Sequence, residues 1–221
     1  MRSAQVCVFE HFLSIYFAKE RIYKMYLFWD NSNIHITGLF VKEKKEPNQP
    51  RELFRTNFKN LFELVRNNRT IDAAYLSGSI PPPNNALWGC LRRMGINLQL
   101  LNKTAQGKEQ ESVDMSLQAM MLRTAIDNIS NPNTIAVLTG DGAGKQLGEG
   151  FLTDLQRIKN MGWNIEVYAW EESCNKNLKE YAQQNGSFIP LENYYYSITY
   201  LKEDRLNPTG KEVRPSTPLN I

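Results

Sequence analysis

Residues 133–154 read NTIAVLTGDGAGKQLGEGFLTD, and this stretch decides the fold class. Ile135, Ala136, Val137 and Leu138 form a short continuous apolar run, which predicts a strand buried on both faces, as in a parallel sheet. The run stops at Thr139-Gly140-Asp141, and glycines follow at 142, 144, 148 and 150. From Phe151 the apolar positions recur at helical steps, through Leu155, Ile158 and Met161. A buried strand that ends in an Asp and feeds a helix places that carboxylate at the strand's carboxyl end. Open α/β sheets build their sites at that edge. A turn aspartate is the ordinary alternative, so the remaining acidic positions have to decide.

Working outward, the same grammar recurs. Met25–Asp30, MYLFWD, is a second buried apolar run ending in an Asp, and Asn31-Ser32-Asn33 is expected to turn the chain. Residues 42–50, KEKKEPNQP, read as a solvated charged loop. Residues 50–67 read as one amphipathic helix with Phe54, Phe58, Leu61, Phe62 and Val65 on its apolar stripe. Further strands are expected over 71–76, 96–101, 164–170 and 187–190, and helices over 85–94, 112–126, 151–161 and 175–184. Residues 193–200, NYYYSITY, are aromatic and β-prone, and the tail from Lys202 reads as a flexible or draped end. Strand alternating with helix throughout predicts an α/β fold, a mainly parallel sheet with helices on both faces.

The 221 residues suit one domain, with 42% hydrophobic residues and a mean hydropathy of −0.47, both ordinary for a globular chain. A net charge of +3 and a pI of about 8.7 permit a polyanionic partner without demanding one. Cys7, Cys90 and Cys174 lie far apart, so no disulfide framework or zinc motif is visible and a reducing cytoplasm is expected. The apolar stretch in 1–24 is too short and too charged to span a bilayer, so no membrane partner is expected. The expected organisation is a dispensable extension over 1–24, a domain over 25–200 and a tail over 201–221.

Asp30 and Asp141 each end a strand, and Asp114 starts a predicted helix. In a parallel three-layer fold, strand carboxyl ends and the amino ends of the following helices share one edge, where the three acids can converge. Converging carboxylates repel, and a divalent cation with oxygen preference, Mg²⁺ or Mn²⁺, relieves them. The implied chemistry is phosphodiester hydrolysis. Asp114 alone is weak evidence, since the helix dipole favours an acid in a first turn. Other sites fail on spacing. A Walker A loop would need Gly at 139 and a hydroxyl at 146, where the chain has Thr139 and Gln146. The segment after Asp30 lacks the second Asp of an aspartyl-phosphate phosphatase, and Ile34 stands where a D-x-S-x-S motif needs its second Ser. No Ser/His/Asp or Cys/His arrangement appears.

WDNSN at 29–33, ESVDMSLQAMM at 111–121, VLTGDG at 137–142 and GFLTDLQRIKNMGWNIEVYAW at 150–170 resemble, in order and spacing, the NYN family of PIN-like ribonucleases. The likeness spans about 26–195. It implies a Rossmann-like α/β/α sandwich, acidic residues holding Mg²⁺ or Mn²⁺, and endonuclease action on RNA, here expected to be single-stranded. Asp30, Asp114 and Asp141 match the family's acids, and Asn33 matches its supporting Asn. The chain departs from the pattern in one place. Where many members carry a further Asp two residues after the third, this chain has Ala143. Asp154, one helical turn beyond Gly150, is the expected replacement, with Glu149 as competitor and Glu111 as a lesser helper. A first-turn helix acid is the ordinary alternative for Asp154. Thr139 is expected to position water or substrate.

The 142–150 stretch is read as a lid or phosphate cradle, or as a plain loop. Lys108 and Lys145 are candidate phosphate contacts by charge. Tyr194–Tyr196 are read as sheet-edge packing before base stacking, and His35 as a loop histidine before a general base. The competing expectation is a non-catalytic regulator that binds RNA or protein on the same fold. A homo-oligomer is compatible with everything above.

Overall fold

The computed structural model describes residues 24–80, 85–102, 109–142, 150–203 and 210–221, with the backbone alone at 79–80, 85, 101–102 and 109–114. In chain order the first half runs β1 (Lys24–Asp30), α1 (Asn31–Lys45), β2 (Phe54–Thr56), α2 (Phe58–Arg66), β3 (Thr70–Ile80), α3 (Asn85–Arg93), β4 (Ile96–Asn102) and α4 (Glu109–Asp127). The second half runs β5 (Thr134–Leu138), α5 (Phe151–Asn160), β6 (Asn164–Ala169), α6 (Lys176–Asn185), β7 (Ser187–Pro190), α7 (Tyr195–Ile198), β8 (Thr199–Lys202) and β9 (Glu212–Arg214).

Among the described residues, six strands form the main sheet in the order β4-β3-β1-β5-β6-β7, every pair parallel. The chain builds outward from β1 through β3 to β4, then crosses back to lay β5, β6 and β7 on the other side. β1 and β5 therefore flank the point where strand order reverses, and it is at the carboxyl edge of that point that open α/β sheets build their sites. Alternation along β1 divides the core: Met25, Leu27 and Trp29 face one side, and Tyr26 and Phe28 the other. The first side is covered by Ile34 and Val41 of α1, Leu61 and Val65 of α2, and Trp88 and Leu91 of α3. The second is covered by Leu117 and Met121 of α4, Phe151 and Leu155 of α5, and Leu178 of α6. The result is the expected three-layer α/β/α sandwich. Each fully buried residue of this size contributes about 1.5–3 kcal/mol of hydrophobic stabilisation.

Three readings are corrected. Residues 50–67 are not one helix: a 3₁₀ turn at Arg51–Leu53 is followed by β2 and only then by α2. The helix starts late because the Asn57 side chain caps it, accepting from the Asn60 N–H at 3.1 Å. Phe54 is buried because β2 pairs antiparallel with β8. Asn31–Asn33 do not turn the chain but open α1, which runs on through the charged residues to Lys45. Lys42 can be buried there because its ammonium donates to the Gln49 carbonyl. Residues 193–200 are 3₁₀ and α-helical before β8 begins, with Tyr195 buried and Tyr196 exposed.

The last residues adopt the draped form. β9 pairs with β8, and Arg214 donates to Glu46 at 2.7 Å and to the Thr199 carbonyl at 2.9 Å. Leu219 packs on the first core. No helix among the described residues is long and apolar enough to cross a membrane.

Candidate metal centre at the carboxyl edge

Asp30 is the last residue of β1 and the N-cap of α1. Its side chain accepts from the Asn33 N–H at 3.0 Å and from the Thr139 hydroxyl at 3.1 Å, and it is 1% exposed. The cap explains its placement, because the helix amino end supplies the N–H and the positive dipole end. Its charge is costly all the same. Burial pushes the carboxyl up from 3.8 to about 6, and the nearby charge of Asp141 adds to the rise, against the opposing pull of the Asn33 and Thr139 donors. Among the described residues no Lys, Arg or His is ion-paired with it.

Thr139 and Asn33 tie the end of β1 to the segment after β5. The Thr139 oxygen accepts from the Asp141 N–H at 3.2 Å while its own hydroxyl holds Asp30, so one side chain sets the spacing of both acids. The Asn33 side-chain oxygen accepts from the Gly140 N–H at 2.8 Å, fixing the backbone on which Asp141 stands. The Asn175 N–H then donates to the Gly140 carbonyl at 2.8 Å. A Cβ at Gly142 would lie 2.8 Å from that of Leu178, so only glycine lets the amino end of α6 approach this closely.

The expected acids divide. Asp30 and Asp141 are brought together. Asp114 lies on α4, whose amino end stands at the same edge because the helix connects the carboxyl end of β4 to the amino end of β5; its side chain is outside the described residues. The helix begins earlier than expected, at Glu109. Asp114 therefore falls in its second turn, and the first-turn dipole no longer accounts for it. Asp154 does open α5 and is buried, but its carboxylate takes the Arg157 guanidinium at 2.8 Å. Burial raises its pKa and Arg157 opposes the rise. Asp30, Asp141 and Asp154 do not form a metal-sized group of three, and among the described residues no other such group occurs. The side chain of Glu111 and the whole of Lys108, Lys145 and Glu149 lie outside the described residues. His35 sits in α1 rather than in a loop.

Two participants were not singled out from the sequence. Ser77 pairs with Asp30 across β1 and β3; it is fully buried, and its hydroxyl has no partner among the described residues. The Asn31 side-chain oxygen beside it is likewise buried without a partner. Their only sequence signal was position, since both stand where an apolar run ends. Such orphaned oxygens cost stability unless something else engages them. A buried carboxylate, a second carboxylate and neutral oxygens make an all-oxygen donor set, which fits a hard divalent cation such as Mg²⁺ or Mn²⁺ and not a thiolate-bound metal. Cys174, close behind Gly140, has its thiol pushed up to about 11 by burial and makes a poor nucleophile.

The family model of the NYN domain matches residues 24–192. No curated protein matches the chain. A crystal structure of a protein of unknown function from Vibrio parahaemolyticus is similar in fold: 13% identical, with a TM-score of 0.55, covering 78% of this chain and 95% of that one. At that identity the likeness speaks to fold alone.

Proposed function

Since the chain belongs to the NYN family, whose fold is nuclease-like, we propose that it is a metal-dependent endoribonuclease acting on single-stranded RNA. The observation that carries this reading is Asp30: a buried carboxylate at the strand-order reversal, facing Asp141 with no cation from the described residues. Asp30, Asp141 and Asp114 would hold Mg²⁺ or Mn²⁺. Bound there, the ion supplies Lewis-acid stabilisation of phosphoryl charge and lowers the pKa of a bound water. Thr139 donates to Asp30 and accepts from the Asp141 N–H, holding the Asp141 backbone beside Asp30, and Asn33 accepts from the Gly140 N–H that precedes it. Lys108 and Lys145 would meet substrate phosphates. Asp154 would serve as a further acid only by giving up Arg157.

Two observations favour a second reading, a non-catalytic RNA- or protein-binding member. Asp154 is engaged by Arg157, and Ala143 stands where a fourth acid is common. The experiment that tests the proposal is cleavage of end-labelled single-stranded RNA with Mn²⁺ or Mg²⁺, against EDTA and Asp141→Asn controls. Cutting should require metal and fall by about a hundredfold or more in Asp141→Asn. RNA left intact by wild type and variant alike, across several substrates, would overturn the nuclease.

A further inference from the structure

We infer that the cavity between α1 and the β2 segment is a nucleotide subsite, holding one unit of the RNA strand beside the acidic edge. This rests on the RNA reading above and adds where the strand lies. The cavity has a volume of about 460 Å³, within the usual range of roughly 300–1,000 Å³ for small-ligand pockets. Its wall carries His35, Leu39, Leu53 and Phe54, with Arg51 and Arg55 beside them.

Three observations point to a nucleotide. The first is continuity. Asn31, His35 and Leu39 stand four residues apart on one stripe of α1, and Asn31 is the residue whose orphaned oxygen lies at the acidic site. The stripe leads from that site to the cavity over about 6 Å of helix rise, the scale of a single nucleotide.

The second is the floor. The His35 ring stands 5.6 Å from that of Phe54, tilted at 42°; Phe54 is 1% exposed and only backs the His35 ring, so the half-buried imidazole is the π face on which a base of any identity would stack. The third is the rim. The Arg51 guanidinium is held over the Phe40 ring at 5.4 Å and against Glu43 at 3.0 Å, while Arg55 donates to the backbone carbonyls of Phe54, at 2.8 Å, and Glu52. Both heads are thus held in place before a ligand arrives, with planar donors suited to phosphate oxygens. Glu52 lies on the lining and Glu43 pairs with Arg51, so the two guanidiniums meet two carboxylates, and it is the His35 ring beside planar donors that favours a base with its phosphate over an acidic peptide.

The test is ultraviolet crosslinking of a bromouridine-substituted single-stranded oligonucleotide to the wild-type protein in EDTA, which keeps the RNA uncut, with the crosslinked peptides mapped by mass spectrometry. The expected crosslinks fall within 35–39 or 53–55. In parallel, His35→Ala and Arg51→Ala should each weaken RNA binding by about tenfold with little change in Tm, the loss expected of one stacking or phosphate contact. Crosslinks confined elsewhere, or both variants binding RNA as wild type does, would overturn the subsite and leave the cavity to a protein partner. A protein that binds no RNA at all overturns it too. The two readings fail separately: crosslinks in the cavity without metal-dependent cutting would remove the nuclease alone, and cutting with crosslinks elsewhere would remove the subsite alone.

Discussion

Glu166 and Asp30 belong to the same sheet, both are withdrawn from water, and they are treated in opposite ways. Glu166, in β6 towards the amino edge, is 17% exposed and receives both arms of Arg69, at 2.5 and 2.9 Å, with the Tyr168 hydroxyl added at 2.9 Å. Burial pushes the Tyr168 phenol upward and the neighbouring Glu166 charge adds to it, so the hydroxyl stays a donor. At the carboxyl edge Asp30 has, among the described residues, neutral donors only, and it stands beside another acid. At one end of the sheet the buried carboxylate is matched by a guanidinium, and at the other Asp30 is matched by no cation of the described residues. The open end costs stability, as sites commonly do.

The comparison breaks most visibly at Arg69. Replacing it with Met leaves Glu166 buried without its cation and should cost about 3 kcal/mol, the scale for removing one partner of a withdrawn pair. Urea unfolding would read this as a lower midpoint at unchanged slope. An unchanged midpoint would mean that Glu166 reaches water and that the amino edge is no closed pair.

The opposite sign is expected at Asp30. Its folded pKa of about 6 lies above the ordinary 3.8. Between those values the folded protein holds a proton that the unfolded chain has released, so this group's contribution to stability is present at low pH and lost as pH rises towards 6. Two units correspond to roughly 3 kcal/mol at most. Asp30→Asn removes the slope and should raise the Tm of the metal-free protein at pH 7 while abolishing cleavage. Mn²⁺ should raise the Tm of wild type and not of the variant. A variant no more stable than wild type would show that Asp30 is not strained.

Arg214 tests whether the last residues belong to the closed part of the molecule. Its guanidinium joins Glu46 and Thr199 and lies over the Tyr195 ring at 5.4 Å, while the Tyr195 hydroxyl donates to Glu46 at 2.5 Å. Arg214→Ala should cost about 2 kcal/mol through an uncompensated, mostly buried Glu46. A negligible change would make residues 210–221 a passive drape.

What was legible in the sequence follows the same division. β1 and β5 stood out because strands buried on both faces are unbroken apolar runs, and their ends exposed Asp30, Asn33, Thr139 and Asp141 directly. β2 was hidden because Phe54 continues the helical stripe of α2, and only pairing with β8, far away in sequence, makes it a strand. Ser77 was hidden because an orphaned hydroxyl is defined by the absence of neighbours, which no local pattern records.

Asp154 had the right spacing, but its fate was set by Arg157 three residues on, the ordinary i,i+3 partner on a helix. It gives the smallest expected effect on stability. The pair joins a buried carboxylate to a guanidinium half in water, 6% and 50% exposed, so its Coulombic gain is screened while the carboxylate bears the desolvation. The raised carboxyl records that balance, burial outweighing Arg157. Asp154→Asn keeps the size and an acceptor oxygen for Arg157, and should change stability by less than about 1 kcal/mol. Its effect on cleavage is the more telling measurement. A loss comparable to that of Asp141→Asn would place Asp154 among the residues of the open edge, drawn from Arg157 in the working complex. Cleavage kept within a few-fold would leave it with the closed pairs, a helix acid matched within its own helix.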